Sequence, residues 1–211
     1  QRTVDLYADL PKATGRVVDD LLYKHWDEWV ETVPHPFVAS VTESGLTDMA
    51  DIMEGEPFEC PMKPNSGIED LAWSPDGKLI AYASRKKTGK AYALSTNSDI
   101  YIYDLASKNT RNLTEGMMGY DIMPQFSPDG KSIAWVSQER DGYESDKKRL
   151  FVANLETGEK QDLTQSFDYN ADAIQWLPDG KSLYMIACKE AVTHIWQVGV
   201  ADKQIRQITN G

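Results

Sequence analysis

The chain has 211 residues, 41% of them hydrophobic, and 33 acidic against 22 basic side chains give it a formal net charge of −11. That is ample apolar matter for a core, but the acidity argues against a nucleic-acid partner, because phosphate binding needs clustered Lys and Arg. No run approaches the ~20 apolar residues of a membrane span, and two cysteines and three scattered histidines make no metal pattern, so no cofactor is expected.

In chain order, residues 1–34 show no repeat. The stretch Leu21–Trp29 reads as a short strand, or Asp19 and Asp20 cap a short helix there. The first residue is Gln1 and no signal peptide is visible, so the chain reads as a processed or excised piece. Residues 35–51 resemble the second half of a repeat unit that recurs later. Residues 52–67 carry three prolines and two glycines and read as a linker.

From there the repetition is explicit. WSPDGK (Trp73–Lys78) returns as FSPDGK (Phe126–Lys131) and WLPDGK (Trp176–Lys181), with the aromatics 53 and 50 residues apart. Pro presets φ, Asp bonds local backbone and Gly accepts positive φ, so each copy is a strand, a tight turn and a strand. The runs LIAYAS, SIAWVS and SLYMIA follow the turns. Their residues are largely apolar on both faces, as in a strand covered on two sides. Shortness, β-branched and aromatic content and flanking turns argue against a buried helix.

A second block then recurs: Asp99–Thr114, Arg149–Thr164 and His194–Thr209, with a degraded copy at His35–Ala50. Each is a β-rich run, a polar turn, a short run and an apolar-Thr pair; in the degraded copy Met49 takes the apolar column. Periods of this size built from four strands indicate a β-propeller, one sheet or blade per repeat.

The expected fold is therefore all-β: a partial propeller of about three whole four-stranded antiparallel blades (68–116, 121–166 and 171–211) plus one incomplete N-terminal blade. Closed propellers carry about four to eight blades. Open end blades expose apolar faces, so the chain is expected to be part of something longer or to self-associate.

Blade topology sorts the loops. The PDG turns share one side with the turns between third and fourth strands. The second-to-third-strand loops, Arg85–Ser98, Gln138–Lys148 and Cys188–Thr193, are dissimilar and share the other side with the blade crossovers. Variable loops on a rigid scaffold are where binding residues sit, so that side, with the 52–67 linker, is the expected working face. KKTGK (Lys86–Lys90) reads as a solvated loop and lacks the first glycine of a P-loop. Asn112-Leu113-Thr114 is a formal glycosylation sequon but reads as the end of a repeat. Cys60 and Cys188 read as free thiols.

The F/W-S-P-D-G-K motif with its IAW/IAY strand resembles the TolB-type propeller repeat. The blocks DLPKATGRVVDDLLYKHWDEW (Asp9–Trp29), HPFVASV and QERDGYESDKKRLFV (Gln138–Val152) are similar to the dipeptidyl-peptidase-V and acylaminoacyl-peptidase branch of the prolyl oligopeptidase family. The resemblance implies a periplasmic or secreted parent serine peptidase, in which a propeller gates access and holds the peptide's free amine. Catalysis would lie in an α/β-hydrolase domain, since this chain has no G-x-S-x-G elbow and no triad context. The resemblance also implies a peptide substrate as partner. The alternative is a TolB-like propeller that binds a protein partner with no enzyme attached.

A protonated amine calls for partly desolvated carboxylates. The candidates are Tyr143 and Glu144 first, as an aromatic wall beside an acid, then Glu139, Asp141 and Asp146; the alternative is a solvated charged loop. Trp26, Asp27 and Glu28 are candidates to line a channel, the alternative being that Trp26 and Trp29 pack on a neighbouring blade.

Overall fold

The computed structural model describes residues 18, 20, 21 and 23–210. Asp19 of the alternative helix cap, and most of the block that begins at Asp9, lie outside them. The described residues between 18 and 34 contain no helix. They hold a small hairpin, β1 (Lys24–His25) against β2 (Glu28–Trp29), with Trp26 at its turn at φ 53°. A second hairpin follows, β3 (Phe37–Thr42) with β4 (Gly45–Asp51).

Three four-stranded antiparallel sheets come next, each in simple chain order. The first holds β5 (Leu71–Trp73), β6 (Leu79–Ser84), β7 (Asp99–Asp104) and β8 (Thr110–Asn112). The second holds β9 (Asp121–Phe126), β10 (Ser132–Ser137), β11 (Arg149–Asn154) and β12 (Lys160–Asp162). The third holds β13 (Asp172–Trp176), β14 (Ser182–Lys189), β15 (Val192–Gly199) and β16 (Ile205–Gln207). The chain thus forms the expected partial propeller, with β3–β4 as its incomplete N-terminal blade.

The recurring hexapeptide explains itself through hydrogen bonds. Ser74 Oγ donates to Asp76 Oδ1 at 2.7 Å and accepts the Leu79 N–H at 2.9 Å. Gly77 sits at φ 70°, and its N–H closes the turn on the Ser74 carbonyl. The second copy repeats this with Ser127, Asp129 and Ser132. Hydrogen bonds from those serines hold the Asp76 and Asp129 carboxyls below the ordinary range.

The threonine that ends each repeat has an equally specific task. Thr114, Thr164 and Thr209 Oγ1 accept the N–H of Ile100, Leu150 and Ile195, the second residue of the repeated block, at 2.9–3.0 Å. In the degraded copy the same two columns hold Ala50 and Pro36. Proline has no N–H to donate and alanine has no oxygen to accept it, so that blade lost donor and acceptor together. Asn112, the sequon asparagine, donates to Asp99 Oδ2 and accepts the Thr114 N–H.

Three apolar layers alternate with the sheets. One lies between the linker with β3 and the first sheet, around Met53, Tyr82 and Tyr101. One lies between the first and second sheets, around Ile100, Ile133 and Trp135. The last lies between the second and third, around Leu150, Leu183 and Trp196. The first strands of the later sheets are also cross-linked to their neighbours: Met123 N–H donates to Asp70 Oδ1, on the turn before β5, at 2.9 Å, Gln125 Nε2 to the Ile174 carbonyl at 2.7 Å, and Trp176 Nε1 to the Gln125 carbonyl at 3.0 Å.

Two of the second-to-third-strand connections differ from expectation. Lys86–Lys90 is not merely solvated: Lys86 Nζ donates to Glu56 Oε1 and Lys87 Nζ to Asn97 Oδ1, and Gly89 opens a short helix, α1 (Gly89–Leu94). Cys188–Thr193 is not a loop. Cys188 pairs with Thr193 and Lys189 with Val192 across Glu190 and Ala191, which take φ of 52° and 65°. Two positive φ values in a two-residue hairpin match the right-handed strand twist. Neither residue carries the Gly or Asn signal that announces such a turn.

Asp121 opens β9 fully buried, and neither carboxylate oxygen has a hydrogen-bond partner among the described residues. Burial pushes its carboxyl up to about 7, the Asp99 charge adds to this, and the nearby Ser137 and Thr114 hydroxyls pull it back. The folded chain thus holds this proton more tightly than the unfolded one. That stabilisation is full below the unfolded value of about 4 and is lost as pH rises to about 7. Asp121→Asn should match wild type in thermal melts near pH 4 and exceed it above pH 7, by at most on the order of 4 kcal/mol. Trp135 is fully buried and stacked on Phe151 with centroids 5.5 Å apart. Trp135→Ala should lower stability by about 3–5 kcal/mol, read from the denaturant midpoint.

Candidate functional site

One cleft of about 520 Å³ opens where the variable loops of the first two full blades meet the linker. Each wall comes from a different stretch. The hairpin turn supplies Trp26, the linker Lys63 to Ser66, and the short 3-10 turn before β5 Glu69 and Asp70. The β6–β7 connection supplies Arg85 and Thr96, the crossover into β9 supplies Tyr120, and the β10–β11 loop supplies Gln138, Glu144 and Lys148.

The loops come this close because their sheets are stacked, and because Gly119 allows it. A Cβ on Gly119 would lie 1.7 Å from the Gln138 carbonyl oxygen. Ser98 N–H bonds the Gly119 carbonyl, and Gln138 N–H bonds the Tyr120 carbonyl. The hairpin that carries Trp26 is clipped to the linker by His25 Nε2 on Glu59 Oε2 at 3.1 Å and by Lys63 Nζ on Glu28 Oε2 at 2.9 Å. Tyr92 OH donates to the other oxygen of buried Glu59.

The charges of the cleft are unequally satisfied. Lys63 pairs with Glu28, and Lys148 Nζ with Asp172 at 2.8 Å. Glu69 and Glu144 form no ion pair among the described residues. Asp70 is 1% exposed; its Oδ1 holds the Met123 N–H, while Oδ2 has no partner among the described residues. Burial pushes the Asp70 carboxyl up, against the pull of Ser66 and the Met123 N–H. Arg85 lies over the Tyr92 ring at 4.6 Å, and its buried Nε–H is likewise unpartnered. Among the described residues the cleft thus combines two exposed carboxylates without an ion pair, Glu69 and Glu144, with one unpartnered oxygen of buried Asp70 and one buried guanidinium N–H, a set that suits a ligand with a cationic donor beside a carbonyl acceptor. No group of three or more His, Cys, Asp or Glu among the described residues is placed to hold a metal ion.

Of the residues singled out in sequence, Trp26 and Glu144 line this cleft together. Trp26 is 80% exposed, so it does not pack on a blade; Trp29 lies beside Tyr23 under the Lys24 ammonium. Asp27 is exposed at the hairpin turn, and Glu28 holds Lys63. Tyr143 carries the Arg140 guanidinium at 3.8 Å and does not line the cleft. Glu139 is solvated, with Arg149 3.9 Å away, and Asp146 pairs with Arg140. Asp141 faces the neighbouring loop: its Oδ1 accepts from Ser95 Oγ and from the N–H groups of Thr96 and Asn97. Burial pushes the Asp141 carboxyl up, but these bonds prevail and hold it below the ordinary value.

Asp70 and Arg85 escaped the sequence reading. Asp70 stands three residues before the motif aromatic, where the later repeats have Met123 and Ala173, and that break in the column was the available signal. The two cysteines are free; burial pushes the Cys60 thiol up to about 12, so it is inert.

Comparison with known proteins agrees with this architecture. Over its full length the chain is 66% identical to Dipeptidyl-peptidase 5 of Porphyromonas gingivalis, covering 31% of that protein. It is 59% identical over 207 residues to Dipeptidyl-peptidase 5 of Porphyromonas endodontalis, covering 98% of this chain and 30% of the relative. The chain thus spans about a third of the length of the curated relatives it matches. A solved protein assigned as TolB from Agrobacterium tumefaciens superposes with a TM-score of 0.53 at 18% identity, over 81% of this chain and 59% of that one, which speaks to the fold alone. The family described as PD40, TolB beta propeller domain, matches residues 70–211, the stretch that holds the three PDG blades, and the chain belongs to that family.

Proposed function

We propose that this chain is the propeller part of a serine exopeptidase that removes dipeptides from free peptide N-termini, and that the cleft receives the peptide's α-ammonium. The observation that carries the reading is the cleft's surplus of acceptors among the described residues: the unpartnered Asp70 Oδ2 on its floor, with Glu69 and Glu144, which form no ion pair, at its rim. Identity to Dipeptidyl-peptidase 5 along the whole chain supports it.

An α-amine is protonated at neutral pH and carries three donors, and charge-assisted hydrogen bonds are worth about 1.5–3 kcal/mol each. In this reading Glu144 and Asp70 accept from the ammonium, Arg85 Nε–H donates to the first peptide carbonyl, and Trp26 covers the first side chains. A peptide with a blocked N-terminus would leave buried Asp70 unsatisfied and be rejected. The bond-breaking groups belong to another part of the parent protein, in the manner of a Ser–His–Asp hydrolase domain.

In the full-length parent, Glu144→Gln should raise KM for a dipeptidyl-coumarin substrate about tenfold and leave kcat within about twofold, as for lost uniform binding. N-acetylated substrate should be poorly cleaved by both forms. Equal cleavage of free and blocked substrates, with KM unmoved by Glu144→Gln, would overturn the reading. A parent without peptidase activity would favour the alternative, a propeller that only binds a protein partner.

A further inference from the structure

The loop between β10 and β11 carries Glu144, and it is fastened on three sides. Internally, Gln138 Nε2 donates to the carbonyls of Glu144 at 3.0 Å and Asp146 at 2.7 Å. Toward the third sheet, Lys147 Nζ donates to the carbonyls of Gln165 and Phe167 at 3.2 and 2.7 Å. Toward the first sheet the fastening is Asp141. Its Oδ1 accepts from Ser95 Oγ at 2.6 Å, Thr96 N–H at 2.9 Å and Asn97 N–H at 3.1 Å. The adjoining Gly142 N–H returns a bond to Thr96 Oγ1 at 2.9 Å.

The receiving segment is itself held. Asn97 Nδ2 donates to the Met117 and Gly119 carbonyls, both at 3.1 Å, and Lys87 Nζ bonds Asn97 Oδ1 at 2.8 Å. Asp141 therefore joins a loop of one blade to an already anchored segment of the preceding one. Thr96 at one end of this joint and Gln138 and Glu144 at the other line the same cleft.

We propose that Asp141 is a positioning residue: it locks the 138–148 loop onto residues 95–97, so that Glu144 stands at the rim of the cleft, and it makes no contact with the ligand. The proposal rests on the reading of that cleft as the site for a peptide's free amine. It assigns Asp141 a different task from the amine-binding carboxylate its charge suggests. One oxygen takes all three donors, and a neutral amide oxygen in its place still faces the same donors and keeps the joint, with weaker bonds. A carboxylate that held an ammonium would not be replaceable in that way, because its negative charge is what draws the ammonium.

The test compares Asp141→Ala with Asp141→Asn in the full-length protein, using a free-amine dipeptidyl-coumarin substrate and hydrogen exchange of the 139–146 amides. Asp141→Ala should raise KM about five- to twentyfold with kcat changed less than about twofold, and should speed exchange across the loop. Asp141→Asn should restore both to within about twofold of wild type. Ser95→Ala removes one donor and leaves the carboxylate; it should move KM the same way by a smaller factor, and it serves if Asp141→Ala fails to fold. Equal impairment of KM in the Ala and Asn variants would overturn the proposal in favour of direct charge contact. Unchanged loop exchange in Asp141→Ala would overturn it outright. If Glu144→Gln leaves KM unmoved while loop exchange still follows the Ala–Asn pattern, the reading of the cleft fails and the joint stands.

Discussion

Each full sheet of this chain is apolar on both faces and must be covered twice. In β10, Ile133, Ala134, Trp135 and Val136 are all buried although successive side chains point to opposite sides. Ile133 and Trp135 serve the layer shared with the first sheet, and Ala134 and Val136 the layer shared with the third. At about 25 cal/mol per Å² of apolar surface removed from water, neither face is dispensable. Where the cover ends, the pattern changes. In β14 burial alternates, and Tyr184 and Ile186 face outward beside Ile195 of β15. At the other end, Phe37, Val41, Leu46 and Met49 of the β3–β4 hairpin are exposed.

Stacking sheets in this way decides where chemistry is available. The first two PDG turns are closed systems: serine, aspartate and glycine satisfy one another, and little is left to offer a ligand. On the opposite side, connections from successive blades are brought within hydrogen-bonding distance, and side chains from several segments line one cleft. Two of its cations, Lys63 and Lys148, are taken up by Glu28 and Asp172, and among the described residues Glu69 and Glu144 form no ion pair. The propeller thus separates a side that is structurally finished from a side with unmet hydrogen-bonding capacity.

Much of this was legible in the residues. The turn hexapeptide, the two-faced apolar runs and the block ending in threonine led to blades, and the variable loops led to the side that holds the cleft. What escaped was set by tertiary partners. The threonine column was visible but its reason was not, since each hydroxyl meets an N–H fourteen residues away in sequence. The Glu190–Ala191 turn lacked turn residues because the long β14–β15 pairing imposes it. α1 is only six residues long, too short to show a helical period, and it opens on a glycine. Among the site candidates, charge alone did not separate Glu144, which has no ion pair among the described residues, from Asp141 and Asp146, whose partners come from another loop or from Arg140. Asp70 was hidden because one aspartate before a strand is ordinary until its second oxygen is found without a donor.

The central claim is that these sheets need a cover on each apolar face. It is tested most directly by the solution mass of the isolated 211-residue chain across a concentration series, with binding of an apolar-surface dye measured alongside. The account predicts concentration-dependent association and dye binding through the open faces of β3–β4 and β14–β15. A well-folded monomer at every concentration, with no dye bound, would contradict it.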